Sequence, residues 1–282
     1  MPRWFHQARR LPIIPILLLL TVLVIPALFA ERLAPYDPLI GDLSKRLMPP
    51  FWEPAGSLDH LLGTDKQGRD VLSRIIYGSR ISFSVSMVVV VLTTTFGVAL
   101  GLFAGYTGGK ADAIIMRVVD GFYAMPFILT ALVIVSVFGP GYGTMLFIAS
   151  LFAWVGDCRQ IRGEVLTLKT LDYIARAKVA GCSTPRILFR HLLPNVTPTI
   201  TVLATLQVGS TILLESTLSF LGVGIPRPTP SWGVMVADGR DHVLAAWWLS
   251  FLPGLAIMLV VLSVNLLGDW LRDHLDPKLR QV

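Results

Sequence analysis

Side chains able to do chemistry are sparse in this 282-residue chain, and their spacing matches no catalytic constellation. Gly105-Tyr-Thr-Gly-Gly-Lys110-Ala111 has the glycines and lysine of a phosphate-cradling loop, but it is one residue short and lacks the Ser or Thr that would hold magnesium. Asp65-Lys-Gln-Gly68-Arg-Asp70 places acids around a glycine at a spacing unlike that of a calcium loop. His6, His60, His191, His242 and His274 are scattered, and neither H-E-x-x-H nor G-x-S-x-G occurs. Cys158 and Cys182 stand outside any C-x-x-C or Cys/His cluster, so neither redox nor zinc chemistry is expected and no metal site is assigned. Glu215 is the acid to watch, because an ionisable group near the end of an apolar run is a functional candidate. It is placed either to greet a cation or an amino terminus, or to pair with Arg227 or Arg240. Arg117 and Asp120, three residues apart, are expected to pair on one helix face.

The elements that must position these residues are membrane helices. Hydrophobic residues make up 54% of the chain and charged ones 15%, with a mean hydropathy of +0.67; soluble domains carry roughly a quarter charged residues. That excludes a secreted disulfide scaffold, a disordered chain and an ordinary cytosolic enzyme. A span needs roughly 20 apolar residues. Residues 11–30 supply them, with Pro12, Pro15 and Pro26 tolerated as they are in membrane helices. Arg3, Arg9 and Arg10 precede this run as in a signal peptide. Cleavage after Ala30 would put bulky Leu28 near the cut, so a retained first span is expected. A second span is expected at about 82–105. Two more flank the turn Gly139-Pro140-Gly141-Tyr142-Gly143 and borrow residues near Arg117, Asp120, Asp157 and Arg159 at their outer ends. Residues 191–214 and 243–268 complete an all-α membrane protein of about six transmembrane helices. Its span centres are expected to be free of charge.

Lysine and arginine placement sets the orientation. With both termini in the cytoplasm, inner segments hold fifteen basic residues, against two in the short outer segments. The net charge of +6 is thereby explained by the membrane, and no nucleic-acid partner is expected. The chain divides into residues 1–75 (tail, first span, external segment) and 76–282 (the transmembrane core), with a cytoplasmic loop at about 163–195.

That loop reads as two short helices. Gly181 is placed to end the first as its left-handed C′ residue. Thr184 is placed to cap the second, with Pro185 at its first position and Pro194 at its end. Ala175, Ala177, Ala180 and Gly181 form a small-residue knob anchored by Tyr173 and Ile174. Such an element suits docking into a cleft of another protein. The competing reading sets Lys169, Arg176, Lys178, Arg186 and Arg190 against anionic lipid. Gly97, Gly101 and Gly105 repeat every four residues, which favours close helix packing, with pore lining as the other reading. Outside, Pro226 to Pro230 suggests an extended rod, residues 62–80 a capped surface helix, and Trp232, Trp247 and Trp248 an interfacial belt.

The spacing Ala175-Arg-Ala177, Gly181, His191-Leu-Leu193-Pro194 resembles the coupling-loop signature of ABC importer permeases. Leu62-Gly-Thr-Asp65 through Arg74, followed by Tyr77-Gly-Ser-Arg80, resembles the dipeptide/oligopeptide/nickel branch. So do Glu215-Ser-Thr-Leu-Ser219-Phe220-Leu-Gly222-Val-Gly224, Pro230-Ser-Trp232-Gly233 and the stretch from Asn265 to Pro277. The resemblance covers about residues 60–280. One departure is that the general signature begins with Glu where this chain has Ala175, which removes one polar contact with an ATPase.

The resemblance implies the type I importer permease fold and the C-type member of a permease pair in a bacterial inner membrane. Its partners would be a homologous permease, two ATPase subunits and an extracytoplasmic solute-binding protein. ATP and magnesium would sit on the ATPases, and no cofactor on this non-catalytic chain. The cargo would be di- or oligopeptides, or a related small solute such as nickel. It further implies coupling roles for Tyr173, Ile174, Ala175, Ala177, Ala180, Gly181, His191, Leu193 and Pro194. Glu215, Ser219 and Phe220 would belong to the path or external gate. Asp65, Arg69, Pro230 and Trp232 would meet the binding protein. The alternative is a self-contained secondary transporter, which would need midplane charges and broken helices.

Overall fold

The structure, a computed structural model, describes residues 11–275. Arg3, His6, Arg9, Arg10 and the Asp276-Pro277 ending therefore lie outside the described residues. The helices are α1 (Ile13–Leu33), α2 (Val71–Thr107), α3 (Gly109–Ala124), α4 (Phe127–Phe138), α5 (Tyr142–Leu168), α6 (Asp172–Val179), α7 (Thr184–Phe220), α8 (Trp232–Arg240) and α9 (Trp248–Leu275).

Among the described residues α1, α2, α7 and α9 are long and apolar enough to cross a bilayer, and α3 with α4 makes a fifth, bent by 86°. The expected sixth, α5, has 27 residues but carries Asp157, Arg159, Arg162 and Glu164 in its second half. The bend falls at Met125-Pro126, where the ring blocks helix continuation and pushes the preceding residue into an extended conformation. Gly139, at φ +78°, makes the expected turn from α4 into α5.

Prolines elsewhere do not break the chain. A π turn at Leu20–Val24 precedes Pro26, and another at Ile187–Leu192 precedes Pro194. The wider turn relieves the clash and absorbs the backbone bond that proline cannot make. Pro194 therefore does not end a helix, and residues 184–220 run as one.

α2 is the central post, touching α1, α5, α7 and α8. At 37 residues it spans about 55 Å. It begins at Asp70, whose Oδ2 accepts the Ser73 amide and hydroxyl, each at 2.7 Å. Residues 71–80 are thus the first turns of the span, and residues 62–70 are loop, not the separate surface helix expected for 62–80. The division at 75/76 falls within this helix.

The glycine repeat packs against α5. A Cβ added at Gly97 would lie 2.6 Å from the Trp154 carbonyl oxygen; at Gly101, 2.7 Å from that of Cys158; at Gly105, 3.0 Å from that of Arg162. Close helix packing, rather than pore lining, explains the spacing. Asp112 pairs with Arg162 at 2.6 Å and Asp120 pairs with Arg159, which lays α3 along α5. Asp120 therefore takes its partner from the neighbouring helix and not from Arg117.

Gly101→Leu is expected to lower the midpoint of thermal unfolding by several degrees, since overpacking costs about 1–3 kcal/mol. Gly121→Ala, at a site with open space, should leave it unchanged or raise it. Differential scanning of the solubilised protein checks both.

Candidate functional site

At one end of the bundle, α6 stands as a short strut beneath α2, α5 and α7. Ile174 is fully buried and Ala177 nearly so, in a cluster with Val98, Leu102, Ile161, Val165, Ile187, Leu192 and Val196. Ala175 and Ala180 face outward, and Val179 is 91% exposed. Gly181, at φ +74°, closes the helix as expected. The Cys182 amide donates to the Ala177 carbonyl and the Gly181 amide to that of Lys178, both at 3.0 Å, as in a Schellman motif. Tyr173 is half-buried against the same cluster, and burial pushes its phenol up from its ordinary value.

Two lysines, Lys169 at the end of α5 and Lys178 on α6, tie this region to α2. Lys169 Nζ donates to the Gly105 carbonyl at 2.7 Å, and Lys178 Nζ lies 5.3 Å from the centre of the Tyr106 ring. Both point to the bundle, which departs from the reading that placed them against lipid. The helix after the turn has Ser183 at its N-cap position, one residue before the expected Thr184, with no capping bond from its side chain and with Pro185 in its first turn. His191 is half-buried within the π turn, Leu193 packs on the Ile174 cluster, and Pro194 is exposed.

At the opposite end Glu215 is completely buried in a nest of hydroxyls. Ser219 Oγ donates to Oε1 at 2.8 Å, while Ser82 and Ser216 approach Oε2 at 3.4 Å. Neither arginine pairs with it: Arg227 binds Asp238 at 2.9 Å, and Arg240 binds Asp241 at 3.2 Å. The Arg240 guanidinium also sits 5.7 Å from the ring centre of half-exposed Phe220. Glu215 thus joins α2 to α7.

All four residues expected to meet a binding protein are buried: Asp65, Arg69, Pro230 and Trp232. Asp65 accepts from the Gln67 and Arg69 amides and from Arg69 Nε at 2.7 Å, with buried Arg74 at 3.5 Å. Such a network is satisfied from within and offers no charge to a partner. Trp232 donates its indole N–H to the Ile75 carbonyl at 2.9 Å, and Gly78 leaves space for its ring. Trp248 is likewise buried and, of these three, Trp247 alone stays partly exposed, so Trp232 and Trp248 are internal posts and not part of a belt. The proline-rich stretch turns at Arg227-Pro228 and is no straight rod.

A polar group missed in the sequence sits between these ends. Asp157 was expected near a span terminus, yet it is the sixteenth residue of α5, against Thr94 of α2 and in one cleft with Gln207 of α7, which itself binds Thr93 and Thr94. It lines a cleft of about 450 Å³ between α5 and α7. The glycine register carried a signal, because the face that meets Gly97 includes Asp157, whose Cβ would lie 2.8 Å from an added Cβ there. Among the described residues, no group of three or more His, Cys, Asp and Glu could hold a metal ion.

The fold matches a chain of the methionine ABC transporter MetNI in an inward-facing conformation, with a TM-score of 0.60 over 72% of this chain and 96% of that one, at 15% identity. The fold is therefore that of a type I ABC importer permease. Residues 97–281 match the family described as binding-protein-dependent transport system inner membrane component, and the chain belongs to that family. It is 45% identical over 94% of its length to the di/tripeptide transport system permease protein DppC of Pseudomonas aeruginosa, covering 87% of that protein. It is 44% identical to the dipeptide permease protein DppC of Escherichia coli K12, over 99% of this chain and 93% of that one. The same share, at 40% identity, matches DppC of Haemophilus influenzae, covering 94% of that protein.

Ile174→Ala is expected to cost about 2–5 kcal/mol at the strut through loss of a fully buried side chain. Hydrogen exchange should rise across residues 171–182 while α2 stays protected.

Proposed function

We propose that this chain is one permease of an ATP-driven importer of di- and oligopeptides, and that it forms the translocation path with a homologous permease. The single observation that carries the reading is the build of α6. It has a face buried against the bundle, an exposed small-residue face, a sealed C-terminus and a tie to α2 through Lys178, with a second from Lys169 just before it. Movement imposed on such an element passes to the spans instead of dissipating in a loop, as transmission between two states requires. The peptide cargo is supported by the names of the relatives, which are di/tripeptide and dipeptide permeases.

In this reading residues 173–182 seat in clefts of ATPase subunits, two per importer, and ATP and magnesium bind there. Ala175 stands where the wider signature has an acid, so docking relies on shape and on the exposed apolar Val179. The strut end faces the cytoplasm, as do both termini, in keeping with the basic residues of inner segments. The opposite end faces the solute-binding protein, through exposed groups such as Phe51, Trp52 and Leu58 instead of the buried Asp65 and Trp232. Glu215, Ser219 and Phe220 act at the outer end of the path, where the serine nest holds α7 to α2.

Gly181 supplies the test of the lever. A Cβ there meets no neighbour, so a substitution acts only through the left-handed backbone, at about 1–2 kcal/mol. In proteoliposomes holding the whole importer, Gly181→Val is expected to cut dialanine uptake severalfold while ATP hydrolysis continues. Gly181→Asn, which tolerates that conformation, should stay near wild type. Uptake by Gly181→Val equal to wild type would sink the lever. Uphill transport by the purified chain alone on an ion gradient would replace this reading with that of a secondary transporter.

A further inference from the structure

The cleft between α5 and α7 holds an acid that, among the described residues, has no basic partner. Asp157 is 5% exposed, and its Oδ2 is buried with no hydrogen-bond donor. A carboxylate buried among apolar membrane helices is expensive unless something answers it. The two other charged groups nearest on the same helix are committed elsewhere, Arg159 to Asp120 and Arg162 to Asp112. No basic residue is among those lining the cleft.

Most of the neighbouring polar groups have spent their hydrogens on each other or on backbone carbonyls. Gln207 Nε2 donates to Thr93 Oγ1 at 2.8 Å and to the Ala153 carbonyl at 3.3 Å. Thr94 donates to Gln207 Oε1 at 3.2 Å, and Ser210 to the Gln207 carbonyl at 3.0 Å. Thr93 in turn donates to the Val89 carbonyl at 2.8 Å. Thr94 and Thr211 bring hydroxyls to the site, but its one charged lining group, Asp157, is an acceptor, so the complementary ligand group brings a donor and a positive charge. A divalent metal is a poor match, since one carboxylate falls far short of the six or more oxygen ligands such ions take.

From this geometry we infer that Asp157 is a mid-membrane contact for a primary ammonium group, the amino terminus of a peptide in transit. The assignment of the ammonium to a peptide rests on the import function proposed above. Three features suit a passing ligand. The site lies beside Thr94, near the middle of the uncharged stretch 81–109, most of it in α2, where the low dielectric makes an unaccompanied ammonium costly. It has a single charged ligand, so it holds the cation and also lets it go, as a conduction site must. And Gln207, locked by its own bonds to α2 and α5, keeps the wall rigid as the ligand passes.

The test uses the complete importer with its permease partner, ATPases and binding protein in proteoliposomes. A lipophilic diazo reagent, which esterifies protonated carboxyl groups, is applied with alanine amide or N-acetylalanine amide at millimolar concentration. Mass spectrometry then reads the ester at Asp157. Alanine amide is expected to slow labelling severalfold and its acetylated analogue to leave it unchanged. Equal effects of the two probes overturn the inference. So does an absence of ester without any probe, because another cation would then hold the acid. Separately, Asp157→Asn is expected to lower dialanine uptake about tenfold or more, the scale of a lost hydrogen bond to a charged group. Asp157→Glu should recover much of it. Uptake by Asp157→Asn equal to wild type overturns the inference as well. If the wild-type importer carries no dialanine yet alanine amide still protects Asp157, the peptide reading fails and the ammonium site stands.

Discussion

Where α2 crosses α5, three glycines present bare backbone to the carbonyls of Trp154, Cys158 and Arg162. Helices in lipid gain little from burying apolar side chains against each other, so association rests on close van der Waals contact of this kind. The crossing sets the distance of every later element from the central post. With α5 drawn in, Arg159 and Arg162 reach the acids of α3, and the Thr93–Gln207–Asp157 group comes together. Ile161 and Val165 also become the roof over Ile174. A side chain at Gly101 would push these apart together, because they share one rigid contact.

The two ends of the bundle are fastened by different chemistry. At the strut end the ties are apolar burial and two lysines, one on a backbone carbonyl and the other over a ring. At the far end they are polar and internal: Glu215 among serines, Asp65 between arginines, Trp232 on the Ile75 carbonyl. Buried polar groups that lose a partner are costly, so these networks hold one arrangement of α2, α7 and α8 firmly. A transporter needs such blocks, since alternating exposure works by moving rigid groups of helices against each other.

Asp157 differs from those networks in being incomplete. Evolution of a packed core tends to satisfy or remove such a group, whereas a passageway has reason to keep one acceptor open. Its place in the cleft, away from the fastened ends, suits a surface that changes its contacts as cargo moves.

Much of the outline was legible in the amino-acid sequence: an all-helical membrane protein, the turn at Gly139, the glycine face of α2, and the strut ending at Gly181. These follow from local rules, because apolar length, small-residue spacing and a left-handed glycine act within a few turns of chain. The partners of charged and aromatic residues were decided only by the tertiary structure. Asp120 chose Arg159 over Arg117, Trp232 went inward, and Asp65 turned from a docking candidate into the centre of an ion cluster. Proline effects also needed the fold, since Pro126 breaks a helix while π turns carry the chain past Pro26 and Pro194. Asp157 shows the physical reason most plainly. Charge pairing and burial depend on what lies across the gap between helices, and no window along one strand of sequence contains that neighbour.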